Sequence, residues 1–214
     1  MLFKVLVTCA LVTFFHTWEV NAHGRLRDPP SRSSAWREDF NVPENYNDAE
    51  LNCGGVGSQY VQNDGKCGPC GDNWNKTQPR ANENGGTYGR GVIVRKYSPG
   101  ELINITVSLD ANHLGYFEFS LCPLNSTTDI ETEECFDAHP IYLADGNRRY
   151  KVIGGFEGLV KIQANLPEDF VCPHCVFRWH YYCGNNWGVC EDGTEGLGCG
   201  NQEVFRGCAD VSIV

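Results

Sequence analysis

The chain has 214 residues, 17 Lys and Arg against 27 Asp and Glu, and a formal net charge of -10. That acidic balance argues against nucleic acid and against anionic membranes as partners, and leaves a neutral polymer open. The length suits a single domain with a substantial core.

The first expected element is a leader. MLFKVLVTCALVTFFHTWEVNA carries Lys4 near its start, an apolar run from Val5 to Phe15, and small residues ending at Ala22. The run is too short for the roughly 20 residues of a spanning helix, so residues 1–22 read as a secretory signal that is removed. Residues 23–214 are then the secreted, extracellular domain, which keeps the net charge because Lys4 and Glu19 leave together.

From Arg25 to about Arg90 the sequence is rich in Gly, Asn, Pro and Cys with little periodicity. It reads as a long, disulfide-pinned excursion carrying short helices. Beyond it the pattern is β. GVIVRKYSPGELINITVSL (91–109) reads as two β-branched runs about a Ser-Pro-Gly turn, a hairpin candidate. GYFEFSLC (115–122) points Phe117 and Phe119 inward and Glu118 and Ser120 outward, VFRWHYY (176–182) alternates similarly, and LVKIQANLP (159–167) and CADVSIV (208–214) read as further strands. Several short strands with Gly and Pro between them, and no long amphipathic helix, predict an all-β sandwich.

Twelve cysteines, Cys9 among them in the leader, leave eleven in the secreted domain. In an oxidising compartment they read as disulfides rather than zinc ligands, and the CGPC (67–70) and CPHC (172–175) pairs are too far apart to make a zinc ribbon. The number is odd, so one thiol is unpaired or pairs with another chain. Asn75, Asn104 and Asn125 open glycosylation sequons, Asn104 within an expected strand that leaves either face open to it.

Cleavage after Ala22 makes His23 the first residue. A terminal histidine owns an α-amine, which gives up its proton near neutral pH, and a ring Nδ1 that closes a chelate with it. One further imidazole completes a planar set of three nitrogens, which suits Cu(II). His139, His174 and His180 each have a structural reading, in a loop, between two cysteines and within a strand. His113 is better placed, in a loop between two strands beside Gly115.

The opening His23-Gly, the motifs LNCGG (51–55), GKCGPCGD (65–72), GGTYGRGVIVRKY (85–97), ANHLGYFEFSLC (111–122), CVFRWHYYCGNNWGVC (175–190) and GCGNQEVFRGCADVSI (198–213) resemble the lytic polysaccharide monooxygenases, specifically the animal auxiliary-activity fifteen branch, over nearly the whole secreted chain. The resemblance implies an immunoglobulin or fibronectin-III-like β-sandwich. It also implies one copper in a histidine brace, and oxidative cleavage of crystalline chitin, or of cellulose, at C1 or C4 by a monomeric enzyme. An external reductant and O2 or hydrogen peroxide take part. It matches His23 and His113 to the two copper ligands and Ala111 to a small residue crowding the axial side. Phe205 matches an axial aromatic that cannot ligate, and Glu203 a group beside the copper that moves a proton. Cys183 stands where a non-cysteine residue is expected, which makes it the unpaired thiol and leaves five bridges. Tyr60 and Trp187 are candidates for stacking on sugar rings. Three alternatives remain at this point. A glycoside hydrolase needs paired carboxylates; a non-catalytic chitin-binding protein needs no free terminus; a copper-binding relative ignores polymer.

Overall fold

The computed structural model describes residues 23–214, so the expected leader, with Cys9 and His16, lies outside the described residues. In chain order the strands are β1 (His23–Asp28), β2 (Arg95–Tyr97), β3 (Leu102–Ala111), β4 (Tyr116–Pro123), β5 (Pro140–Leu143), β6 (Tyr150–Lys151), β7 (Gly158–Asn165), β8 (Cys172–Tyr182), β9 (Trp187–Val189), β10 (Glu195–Leu197) and β11 (Val204–Ile213). A short helix, α1 (Glu133–Ala138), precedes β5 and is N-capped by the Thr132 hydroxyl, which accepts from the Cys135 N–H. The large sheet runs β1-β3-β7-β5-β4-β8-β11-β2 and curls over on itself. The short strand β5 makes the turn: Ile141 pairs with Phe119 on one side, and Tyr142 and Leu143 pair with β7 on the other. The expected sandwich is therefore two layers joined through β5.

Alternation drives the packing. In β3, Ile103, Ile105, Val107 and Leu109 point inward and are at most 2% exposed. They meet Phe117 and Phe119 of β4 and Phe177, Trp179 and Tyr181 of β8 in one core. The ring pairs Phe117–Tyr181 (4.9 Å, edge to face) and Phe117–Trp179 (5.5 Å) lie in the range that aromatic pairs favour.

Two expectations about strands are corrected. The runs around Ser98–Gly100 do not form a hairpin. The turn is real, with the Glu101 N–H donating to Ser98 O, but β2 pairs in parallel with β11 while β3 sits between β1 and β7. Both edges of β3 are taken, so the turn carries the chain from one layer to the other. The simple alternation expected of β8 also fails. Val176 to Tyr181 are all buried, as is every residue of β11 from Val204 to Ile213. These two central strands are covered on their second face by α1 and the excursion.

That excursion, residues 29–94, contains a 3-10 turn (Ala35–Glu38) and a π-helical turn (Gly57–Gln62). It is pinned by Cys53–Cys67 and by Cys70–Cys208, which ties it to β11. Cys122–Cys135 fastens α1 to β4, and Cys172–Cys175 and Cys190–Cys199 complete five bridges among the described residues. Cys183 keeps a free thiol, as the resemblance implied. Asn75, Asn104 and Asn125 are all exposed, so Asn104 faces solvent on β3.

The second pin is ionic. Arg32 is buried between two carboxylates, its Nε 2.8 Å from Asp210 Oδ2 and its Nη1 2.5 Å from Glu131 Oε1. Removing one partner of a buried pair strands the others, so Arg32→Ala should cost about 3–5 kcal/mol in denaturant unfolding. Acid should act on the same region. Burial alone pushes the Asp210 carboxyl up, but Arg32 and His174 outweigh it and hold it at about 2, against an ordinary 3.8. Burial, with Arg206 and Arg178 nearby, keeps the His180 ring well below its ordinary 6.5. Both groups bind more protons unfolded than folded, so stability falls as pH drops. His180 contributes fully above 6.5 and loses its contribution below it; Asp210 loses its contribution between 3.8 and about 2. Melting temperatures across pH 7 to 3 should decline in those two stages.

Candidate metal centre

Strand register brings the expected residues to one end of the sandwich. His23 opens β1 opposite Ala111, the last residue of β3, at a register shift. His113 follows two residues later in the β3–β4 loop. Gly158 opens β7 opposite Leu109, and Val204 opens β11 opposite Tyr182, the last residue of β8. Glu203 and Cys183 therefore flank the start of β11 and the end of β8.

The His113 loop is held from three sides. The His113 N–H donates to the Tyr181 hydroxyl (3.0 Å), and its carbonyl accepts from the Gly184 N–H (2.8 Å). Asn112 donates to the carbonyls of Ile153 and Phe156 and accepts from the Leu114 N–H. Gly115, at φ +82°, lies so close to the Tyr182 carbonyl that a Cβ there would sit 1.9 Å from its oxygen; only glycine lets the loop turn this tightly.

The ring of His113 is the telling feature. It is 4% exposed, and neither Nδ1 nor Nε2 has a hydrogen-bond partner. A buried imidazole with both nitrogens unmatched is costly and fits a ligand to a metal. Its nearest charged neighbour is Glu203, whose Oε2 is 3.5 Å from Nδ1. The other candidate histidines are satisfied otherwise. His139 Nδ1 bonds the Cys135 carbonyl, His174 Nε2 meets Asp210, and His180 Nε2 accepts from Arg206 while its ring stacks on Tyr182.

His23 is oriented by a residue that sequence reading missed. Its Nε2 lies 2.5 Å from Glu50 Oε1, and this bond holds the Glu50 carboxyl below its ordinary value. An ionised carboxylate only accepts, so Nε2 carries a proton, and in the neutral ring the lone pair is then on Nδ1. That is the nitrogen a chelate with the α-amine requires. Glu50 comes from the excursion, where no periodicity marks it. Asn52, equally unmarked, donates from Nδ2 to Glu203 Oε1 (2.9 Å) and leaves Oε2 toward His113.

Phe205 is fully buried and packs on Tyr181. Its ring offers no donor atom. Trp187 is 68% exposed on the β9–β10 hairpin. Tyr60 is half-buried, its hydroxyl donating to the Gln202 carbonyl (2.9 Å), so it lines a cleft rather than standing free.

A profile described as lytic polysaccharide mono-oxygenase, cellulose-degrading, matches residues 23–211. The chain belongs to the lytic polysaccharide monooxygenase family. A solved structure, the AA15 lytic polysaccharide monooxygenase of Thermobia domestica in the Cu(I) state, is similar at 46% identity, covers 89% of this chain and 98% of its own, and superposes with a TM-score of 0.87. Comparison with curated proteins gives no match. This lytic polysaccharide monooxygenase is thus a copper-dependent enzyme that oxidises polysaccharide. Its donor set fits copper: two imidazoles on adjoining strand ends, one oriented by a carboxylate and the other buried with unmatched nitrogens.

Proposed function

We propose that the enzyme cleaves crystalline chitin at C1 or C4, with copper held in a brace by the α-amine and Nδ1 of His23 and by the ring of His113. The observation that carries this is the unpartnered, buried His113 ring two residues beyond the one that pairs with His23. The reading requires the chain to start at His23, so residues 1–22 are removed on secretion. Five disulfides and sequons open to solvent at Asn75, Asn104 and Asn125 accord with an extracellular, glycosylated protein. Among the described residues no helix is long and apolar enough to cross a membrane.

The chemistry that copper supplies when bound is one-electron cycling with an external reductant and activation of O2 or hydrogen peroxide for C–H oxidation. The protein does the rest. Glu50 fixes the His23 ring in the tautomer that binds. Tyr181, Gly184 and Gly115 fix the His113 loop, so the ligands need little reorganisation. Glu203, steered by Asn52 through Oε1, holds Oε2 beside His113, where it would carry a proton for the chemistry that bound copper supplies. Phe205, buried against Tyr181 behind the His113 loop, would present only carbon to the site, and Ala111, opposite His23 in the strand register, would add only a methyl group.

The polymer face is the same end of the sandwich. Trp187 stands exposed there, and Ile153 (72%) and Phe156 (45%) rise on the loop that Asn112 ties to His113. Apolar groups beside the reacting centre suit the acetamide methyls of chitin, and a ring such as Trp187 suits a sugar face. Cellulose is the second reading, favoured by the description of the matching family. Mass spectrometry of soluble products decides between them. Copper-loaded protein with ascorbate and trace peroxide should release oxidised chito-oligosaccharides; oxidised cello-oligosaccharides alone would move the substrate to cellulose. Trp187→Ala should weaken binding to the crystalline polymer by about 10-fold, from the loss of roughly 1–1.5 kcal/mol of ring contact, with copper affinity unchanged. Pull-down isotherms and copper calorimetry read the two separately.

A further inference from the structure

The free thiol sits inside the metal centre. Cys183 is 3% exposed, and its N–H donates to the Glu203 carbonyl (3.0 Å) while the next N–H, of Gly184, donates to that of His113 (2.8 Å). Two backbone bonds thus strap Cys183 between the His113 loop and the start of β11. As a result Cys183 Sγ, a Glu203 carboxylate oxygen and a His113 ring nitrogen all lie within 4.8 Å of one another.

A neutral imidazole has one lone pair to give, to copper or to another cation, and the metal-free protein leaves both nitrogens of the His113 ring buried without a hydrogen-bond partner. Beside it stand a carboxylate and a thiol, and together the three present N, O and S donors to one point. Another cluster, Cys70, Glu131 and Cys208, also gathers sulfur and carboxylate but lacks the capacity. Its sulfurs form a disulfide and Glu131 is bound to Arg32. The Cys183 cluster also has a way in from solvent, because Cys183 lines the open cleft formed by Tyr60, Tyr116, Tyr182 and Gln202.

We propose that His113, Cys183 and Glu203 form a second cation site, taking zinc through a thiolate, a carboxylate and an imidazole. Sulfur and nitrogen donors with one carboxylate suit zinc, and two anionic donors neutralise a divalent ion in a buried place. A metal–sulfur bond forms as the thiol proton leaves to solvent. Because His113 serves both sites, zinc held here keeps copper out of the brace, and copper in the brace weakens this site.

Cadmium reports the site directly, since its bond to a thiolate absorbs in the ultraviolet and zinc's does not. Metal-free protein beginning at His23 is titrated with Cd2+. The expected result is a thiolate–cadmium band that saturates at one equivalent and is bleached by zinc. By calorimetry, Cys183→Ser should lower cadmium affinity about 100-fold and Glu203→Gln about 10-fold, the range that loss of a ligand or its support brings. Circular dichroism checks that each variant is folded. Prior loading with one equivalent of Cu(II) should suppress the band while a thiol count on denatured protein still reads one. No band at one equivalent overturns the site. A band of equal affinity in Glu203→Gln and His113→Ala means the thiol alone takes the ion, and also overturns it. A band indifferent to copper overturns the shared ligand. The cadmium titration needs no copper, so its outcome is separate from that of the brace.

Discussion

One residue placed ahead of His23 should cost the enzyme more than about 100-fold in copper affinity. Loss of a partner that merely supports a ligand costs roughly 10–100-fold, and an extension removes a ligand outright. It turns the α-amine into an amide, which no longer offers a lone pair, and breaks the chelate with Nδ1. Nothing else need change. The Glu50 bond is made by Nε2 on the far side of the ring, and β1 keeps its pairing with β3. The extended protein should therefore melt at the same temperature as the metal-free native form. It should also release no oxidised oligosaccharide. Calorimetry with Cu(II), a melting curve and product analysis on the same two samples separate this from misfolding. Equal copper affinity with and without the extra residue would mean that the amine is not a ligand.

Glu203→Gln should leave copper affinity within about 10-fold and lower the rate of oxidative cleavage by about 10²–10⁴, the span that a positioned proton carrier contributes. The substitution is nearly isosteric. The new amide can still accept from Asn52 through its carbonyl oxygen, as Glu203 Oε1 does now. What it lacks is an oxygen able to give and take a proton next to His113, where Oε2 stands at 3.5 Å from Nδ1. A fall in turnover with copper binding and Cu(II) spectrum preserved supports the proton role. A fall in copper affinity alone, with turnover per bound copper unchanged, would make Glu203 a support for the His113 ring instead.

Sequence reading picked out residues of the candidate site where chemistry is local and missed those that long-range contacts bring to it. His23 announces itself because a cleavage motif and a chelating residue coincide at one point. His113 stands out through its loop, with Gly115 beside it, and the structure adds the reason that glycine is there. Glu50 and Asn52 were not legible. They reach His23 and Glu203 from a stretch without periodicity, and their partners are 27 and 151 positions away. Cys183 was legible only as a departure from a family pattern; its closeness to His113 and Glu203 comes from strand register. The strands themselves were read well from local pattern, β4 from the inward alternation of Phe117 and Phe119 and β3 from its β-branched run. The destination of β2 was missed because a turn signal fixes a change of direction but not which layer the chain enters next. In β8 and β11 the alternation fails because α1 and the excursion bury the second face, which no local window reveals.

The central claim is that His23 and His113 hold one copper between them. Electron paramagnetic resonance of protein beginning at His23, with one equivalent of Cu(II), tests it most directly. The prediction is a single tetragonal Cu(II) species with coupling to three nitrogens, reduced to two in His113→Ala. A spectrum unchanged by His113→Ala would contradict the brace and place the copper elsewhere.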